Sequence, residues 1–403
     1  MQTSFLRQQQ DKLIIEKAPV FEPLDPPCRL LCGPGPCNPH PRVLRALSMQ
    51  EIGHLDSAFL HIMEEIKILL RYTWQTKNEF TIPVSGTGSA AMEACVCNLL
   101  EPGDKFLVGC NGYFGPRLVE MGQRYGASVV SMHKPWGQVF SVEELEENIR
   151  KHRPKVLALI HAETSTGACQ PLKEAADICH HYDCLLVADT VTSISGVPLH
   201  IDQWNIDAAY AGSQKCLSCP PGIAPLTFGP RALEKLRKRR SKVKNWYLDM
   251  NLIASYLTSN GNSNRSYHHT APINMCYGIR EALALVAEEG LEQRWSRHER
   301  NAMHFWKGLK ELGLTCLVPQ QYRLPSLTTI QVPPGIRATA VTSHLLEKFG
   351  IEIGNGLGEL QGKVWRVGLM GYNSREEIVQ TLLVALRTAL LEQGYSSIRP
   401  SFM

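Results

Sequence analysis

The 403-residue chain has no apolar run of the roughly 18 residues needed to cross a bilayer, which argues against a membrane-spanning protein. Its charge excess is small: 42 Lys and Arg stand against 38 Asp and Glu, for a formal net charge of +4. So mild a field gives no reason to expect a nucleic-acid partner. Internal repeats and low-complexity tracts are missing, so a repeat array is not indicated. No secretory leader is visible. No clustered set of cysteines and histidines completes a metal site. His161-Ala162-Glu163 with Cys216-x-x-Cys219 resembles part of a zinc deaminase signature, but Lys215 stands where that signature wants proline. No metal is therefore expected.

What is present is the balance of a globular protein with a sizeable core: 44% hydrophobic and 20% charged residues. The length suits two domains. The thirteen cysteines are odd in number and scattered, several inside apolar runs (Cys95, Cys97, Cys184). They read as buried free thiols in a reducing, intracellular compartment. Neither the acid-free segment Met1–Gln10 nor the ending Ser401-Phe402-Met403 selects among peroxisome, mitochondrion and cytosol.

A proline-rich, extended arm is expected over residues 1–29, with Pro19, Pro23, Pro26 and Pro27. From 30 to 290, short apolar runs alternate with helical stretches: Phe80–Val84, Phe106–Gly109, Val156–His161, Cys184–Ala188 and Ala208–Ala211. That rhythm predicts an α/β large domain with a mostly parallel sheet flanked by helices. A long helical pattern over Ile273–Gly313 leads into a smaller α+β C-terminal domain over 291–403.

In such sheets ligands bind beyond the carboxyl ends of the strands, so the residues after each run matter. Phe80–Val84 leads into Ser85-Gly86-Thr87-Gly88-Ser89 and a helix, which is either an anion cradle or a plain tight turn. A second run leads to Asn111-Gly112-Tyr113-Phe114-Gly115, with two aromatics suited to cover a planar group or simply to pack. Val156–His161 is followed by Glu163-Thr164-Ser165-Thr166, polar ligands or turn caps. Asp189 ends another run, where a carboxylate is costly unless paired. Ala208–Ala211 precedes Gly212-Ser213-Gln214-Lys215, and partial burial of a lysine there would lower its pKa toward Schiff-base chemistry. Arg366 lies inside the apolar run Val364–Leu369, where it needs an anion, either a ligand or a structural partner.

Gly86-Thr87-Gly88-Ser89-Ala90-Ala91 also fits a loose dinucleotide fingerprint, but the next strand ends in Cys110-Asn111 without the acidic residue a nicotinamide site wants. The basic run Lys235–Lys244 reads as a solvated helix end.

Taken together, LLCGPGPCNPHPRVLRAL, PVSGTGSAAMEA, LEPGDKFLVGCNGYFG, HAETSTG, VADTVTSISGVPLHID, GSQKCLSCPPG, YHHTAPINM and GKVWRVGLMGYNS carry a specific likeness. The chain resembles the class V, fold-type I, pyridoxal-phosphate aminotransferases, the alanine–glyoxylate branch among them, from about Leu30 to about Leu391. The resemblance implies pyridoxal 5'-phosphate as cofactor, Lys215 as its Schiff-base lysine and Gln214 near the phosphate. It implies Asp189 on the pyridinium nitrogen, Thr87, Gly88 and Ser89 around the phosphate, Phe114 stacked on the ring, and Thr164 near the ring oxygen and substrate. Arg366 is implied as the carboxylate clamp, with Cys37 and Asn38 in the loop near the substrate. Tyr267 and Thr270 are implied to reach the neighbouring subunit's phosphate in a homodimer with composite sites.

Three positions depart from the family pattern: Cys37 where serine is usual, Asn355 where glycine is frequent, and Phe114 where tryptophan is frequent. The implied activity is ping-pong transamination between a small amino acid and a 2-oxo acid, with alanine and glyoxylate the expected pair. Serine–pyruvate, serine–glyoxylate or 3-hydroxykynurenine transamination stays open on the same apparatus. So does a lyase or cysteine desulfurase that would use the Cys37 thiol.

Overall fold

The computed structural model describes residues 17–257 and 267–396. Its centre is a seven-stranded sheet. In chain order the strands are β1 (Phe80–Ser85), β2 (Lys105–Cys110), β3 (Ser128–His133), β4 (Val156–Ile160), β5 (Leu185–Asp189), β6 (Ala208–Tyr210) and β7 (Ile223–Phe228). They lie in the order β1-β7-β6-β5-β4-β2-β3. β7 alone runs antiparallel, between β1 and β6. Helices cover both faces, which is why β4 and β5 are buried along their whole length.

Register brings the carboxyl ends of the central strands side by side: Ile160 pairs with Asp189, and Asp189 with Tyr210. The residues that follow β4, β5 and β6 therefore share one edge. Helix Ser57–Trp74 braces that edge. The Asp56 carboxylate caps it by accepting the Ala58 N–H at 2.8 Å. Phe59, Met63, Ile66, Leu70 and Trp74 form its buried stripe. The Trp74 indole N–H donates to the Thr190 hydroxyl at 3.2 Å, next to Asp189.

A second sheet holds β8 (Leu327–Gln331), β9 (Gly354–Asn355) and β10 (Val364–Gly368), in the order β8-β10-β9 and antiparallel. Helices Ala338–Phe349 and Glu376–Leu391 pack on it around Trp365, Phe305 and Leu382. The expected continuous helix Ile273–Gly313 is two helices, Ile273–Glu289 and Leu291–Glu311, parted at Gly290 with φ +83°. Leu30–Leu31 pairs in parallel with Ile351–Glu352, and Cys32 joins the C-terminal core. The start of the expected large domain is thus built into the small one. Residues 17–29 form no helix or strand. No helix among the described residues is long and apolar enough to cross a membrane.

Candidate active site

A cavity of about 150 Å3 opens at the carboxyl edge of the sheet, lined by Thr87, Gly88, Ser89, Phe114, Thr164, Asp189, Gln214 and Lys215. Lys215 reaches it from a turn after β6. The turn is closed by the Ser218 N–H on the Lys215 carbonyl (2.9 Å), the Cys219 N–H on the Ser213 carbonyl (3.0 Å) and the Ser213 hydroxyl on the Pro220 carbonyl (2.7 Å). Lys215 is 9% exposed, and its amine donates to the Pro34 carbonyl. Burial first, then the nearby Arg366 charge, pushes its pKa down to about 8. The loop passes so close here that a Cβ on Gly35 would stand 2.5 Å from the Lys215 Nζ, and φ there is +103°. Glycine is therefore required at that position.

Asp189 is 4% exposed. One of its oxygens accepts the Val191 N–H at 2.9 Å and the other the Tyr210 hydroxyl at 2.8 Å. Both donors are neutral, and burial pushes the carboxyl up to about 7. Sequence reasoning did not single out Tyr210, because a tyrosine inside a buried strand reads as core.

Across the cavity, helix Gly88–Leu99 begins. The N–H groups of Gly88 and Ser89 lie in its first turn, where no intrahelical acceptor exists. The Thr87 hydroxyl makes no capping bond, and Thr87 and Ser89 are exposed. The buried Gln214 Oε1 has no hydrogen-bond partner among the described residues. Phe114 is half-buried, with the Arg117 guanidinium 5.0 Å from its ring centroid. Arg117 lines the cavity as well and was not foreseen; as the third residue of a helix it carried no signal of its own.

Arg366, in the middle of β10, is 6% exposed. Its Nε donates to the Asn355 carbonyl at 2.8 Å and its Nη1 to the Thr164 carbonyl at 3.2 Å. Two backbone carbonyls thus orient the fork, and no carboxylate among the described residues neutralises it. Burial pushes its pKa down to about 10, opposed by the Glu163 charge. Asn355 takes part only through its carbonyl; its side chain turns toward the Thr342 hydroxyl at 3.5 Å.

Arg366 stands beside the cavity, joined to it through the carbonyl of the lining Thr164, and four further expected residues lie off it. The Cys37 thiol donates to the Lys215 carbonyl at 3.0 Å and meets the Ser218 hydroxyl at 3.2 Å. Burial pushes it up to about 12, so it supports the lysine turn rather than offering a thiolate. The Asn38 side chain accepts from the Leu31 N–H (2.8 Å) and from the Asn373 amide (2.8 Å), and donates to the Arg29 carbonyl (2.9 Å), which ties the loop to the small domain. Tyr267, 64% exposed, and Thr270 have hydroxyls 3.3 Å apart and do not line this chain's cavity. Among the described residues no cluster suits a metal ion.

A parallel-sheet edge presenting a buried lysine, a buried carboxyl without a cation and an open helix N-terminus defines a class: enzymes that hold a phosphorylated, ring-nitrogen cofactor through a lysine. The class V aminotransferase model matches residues 42–381, and the chain belongs to that pyridoxal-phosphate-dependent family. It is 45% identical over 370 residues to the alanine–glyoxylate aminotransferase of Mus musculus, covering 92% of this chain and 89% of that protein. A crystal structure of alanine–glyoxylate aminotransferase from Nostoc sp. superposes with a TM-score of 0.90 at 56% identity, covering 92% of this chain and 97% of that one. The ureidoglycine–glyoxylate aminotransferase of Bacillus subtilis does so at 0.90 and 38% identity, covering 94% and 97%.

The residues fit the family's cofactor. The Gln214 Oε1, the open helix start and Asp189 each lack, among the described residues, the partner that pyridoxal phosphate would bring, and burial holds the Lys215 pKa down at about 8.

Proposed function

We propose that the chain transfers the amino group of L-alanine to glyoxylate, giving pyruvate and glycine in two half-reactions of a ping-pong cycle. The observation that carries the transaminase reading is that Lys215 and Asp189 line one cavity while Arg366, anchored on the carbonyl of the lining Thr164, stands beside it. Support for the substrate pair comes from relatives bearing that name at 45% and 56% identity.

Lys215 would hold the cofactor, Asp189 its ring nitrogen, Thr87, Gly88, Ser89 and Gln214 its phosphate side, Phe114 its face and Thr164 its ring oxygen. When bound, pyridoxal phosphate supplies an aldehyde that receives the amino group and a ring that accepts the electron pair released at the donor's Cα. The rest falls to the chain. The unengaged donors of Arg366 take the substrate carboxylate, and their anchoring carbonyls fix its direction. Freed Lys215 Nζ, with a pKa near 8, would take the Cα proton as general base and, as general acid, would deliver it to the carbon that carried the aldehyde. Asp189 meets a cation with a carboxylate already aligned by Tyr210 and Val191.

The same reading takes the molecule as a homodimer in which Tyr267 and Thr270 reach the partner's phosphate site. Support lies in the exposure of Tyr267 and of Trp246 and Tyr247, whose rings meet His268 and His269 next to it. Thirteen free cysteines suit a reducing compartment. The buried, protonated Cys37 thiol weighs against desulfurase chemistry.

The test is the visible spectrum of the holoprotein. Bleaching of the cofactor band by L-alanine and its return with glyoxylate is expected. A band indifferent to alanine but bleached by serine or 3-hydroxykynurenine would move the donor assignment to that compound.

A further inference from the structure

Glu163 is wholly buried, lines no part of the cavity, and makes no salt bridge with Lys or Arg among the described residues. Its Oε1 accepts the N–H and O–H of Ser165, at 2.9 and 2.6 Å. Its Oε2 accepts the Phe114 N–H at 3.3 Å. The Ser165 hydroxyl oxygen in turn accepts the Tyr113 N–H at 2.9 Å. The backbone of a loop about fifty residues earlier in the chain thus hangs on one carboxylate and its serine. Gly112 packs against the Glu163 side chain with no room for a Cβ.

We propose that Glu163 is a positioning residue, holding the Tyr113–Phe114 loop so that the Phe114 ring closes the cavity. The proposal rests on the function given above, in which that ring covers the cofactor. The chemistry requires a carboxylate and not merely a side chain of that size. Both oxygens accept, and all the groups facing them are donors. An amide would turn its own N–H2 toward one of those donors, leaving a buried N–H unmade. The carboxylate also stands in the field of Arg366. Burial raises the pKa of this carboxyl, and the Ser165 and Phe114 donors and then the Arg366 charge oppose that rise, so the group that sets the loop also lies within reach of the guanidinium's field.

The experiment compares wild type, Glu163→Gln and Ser165→Ala, each as the full chain with and without pyridoxal phosphate. Amide hydrogen exchange in the cofactor-free chains reads the loop directly. Exchange at Tyr113 and Phe114 is expected to rise by about tenfold in Glu163→Gln, with β4 unchanged. Ser165→Ala is expected to raise it at Tyr113 above all. In the loaded chains the circular dichroism of the visible cofactor band should shrink in Glu163→Gln, a signature that a general loss of stability would not produce. Unchanged exchange at both amides, with an intact dichroic band, overturns the proposal. Should Glu163→Gln fail to fold, Ser165→Ala decides alone: unchanged exchange at Tyr113 is equally fatal. A wild type that binds no pyridoxal phosphate removes the functional reading, and exchange then judges the loop by itself.

Discussion

Asp189 and Asp207 are both 4% exposed, one ending a strand and the other just preceding the neighbouring strand. Asp207 stands just before β6, at the amino edge of the sheet, and Asp189 ends β5 at the carboxyl edge. Asp207 has its cation within the chain, Arg231 at 3.0 Å, with the His180 Nε2 at 3.4 Å and the Leu186 N–H at 2.8 Å. Asp189 has two neutral donors and no salt-bridge partner among the described residues. Burial raises the pKa of both, with Arg231 and His180 opposing it at Asp207. The difference teaches how to tell a structural carboxylate from a functional one. The structural one is neutralised by the fold; the functional one is left for a ligand to complete.

The comparison can be broken at several points. The largest effect is expected from Lys215→Ala, which should cut turnover by roughly 10,000-fold or more while leaving the melting curve in place. Near-normal steady-state rates in that variant would end the assignment. Asp189→Asn should lower kcat/KM on the order of 100-fold, since the ring nitrogen loses its counter-charge. Asp207→Asn should do the reverse. Breaking a buried ion pair costs about 3 kcal/mol in denaturant unfolding, with rates per folded molecule unchanged. Equal losses of activity in the two variants would erase the distinction.

Smaller effects lie in pH. Cofactor-free protein should recombine with pyridoxal phosphate faster as Lys215 loses its proton. The rate should rise about 50-fold between about pH 6 and its pKa near 8, by the neutral-amine fraction alone, and then level off. Stopped-flow absorbance would read it. The folded cofactor-free chain holds the Asp189 proton more tightly than the unfolded chain does, so its stability falls as pH rises from about 4 to about 7. Asp189→Asn should remove about 4 kcal/mol of that change in urea titrations.

Much of the edge was legible because β4, β5 and β6 are short apolar runs that end abruptly in polar residues. Asp189 and Lys215 stand out against such a background. β3 escaped notice because it lies at the sheet's margin, with Ser128, Ser131 and His133 leaving no apolar run. The break at Gly290 hid inside an otherwise helical pattern. Cys37 and Asn38 were placed by their loop, and sequence does not say which way a loop side chain turns. Glu163 was visible as a polar residue at a strand end, but its target is a backbone 49 residues away, which no spacing reveals.

The most direct test is borohydride reduction of the holoprotein, followed by peptide mapping. A stable pyridoxyl label on Lys215 alone is expected, and prior incubation with L-alanine should prevent it by freeing the amine. A label on another lysine, or none on a chain that has bound the cofactor, would contradict the assignment on which the rest depends.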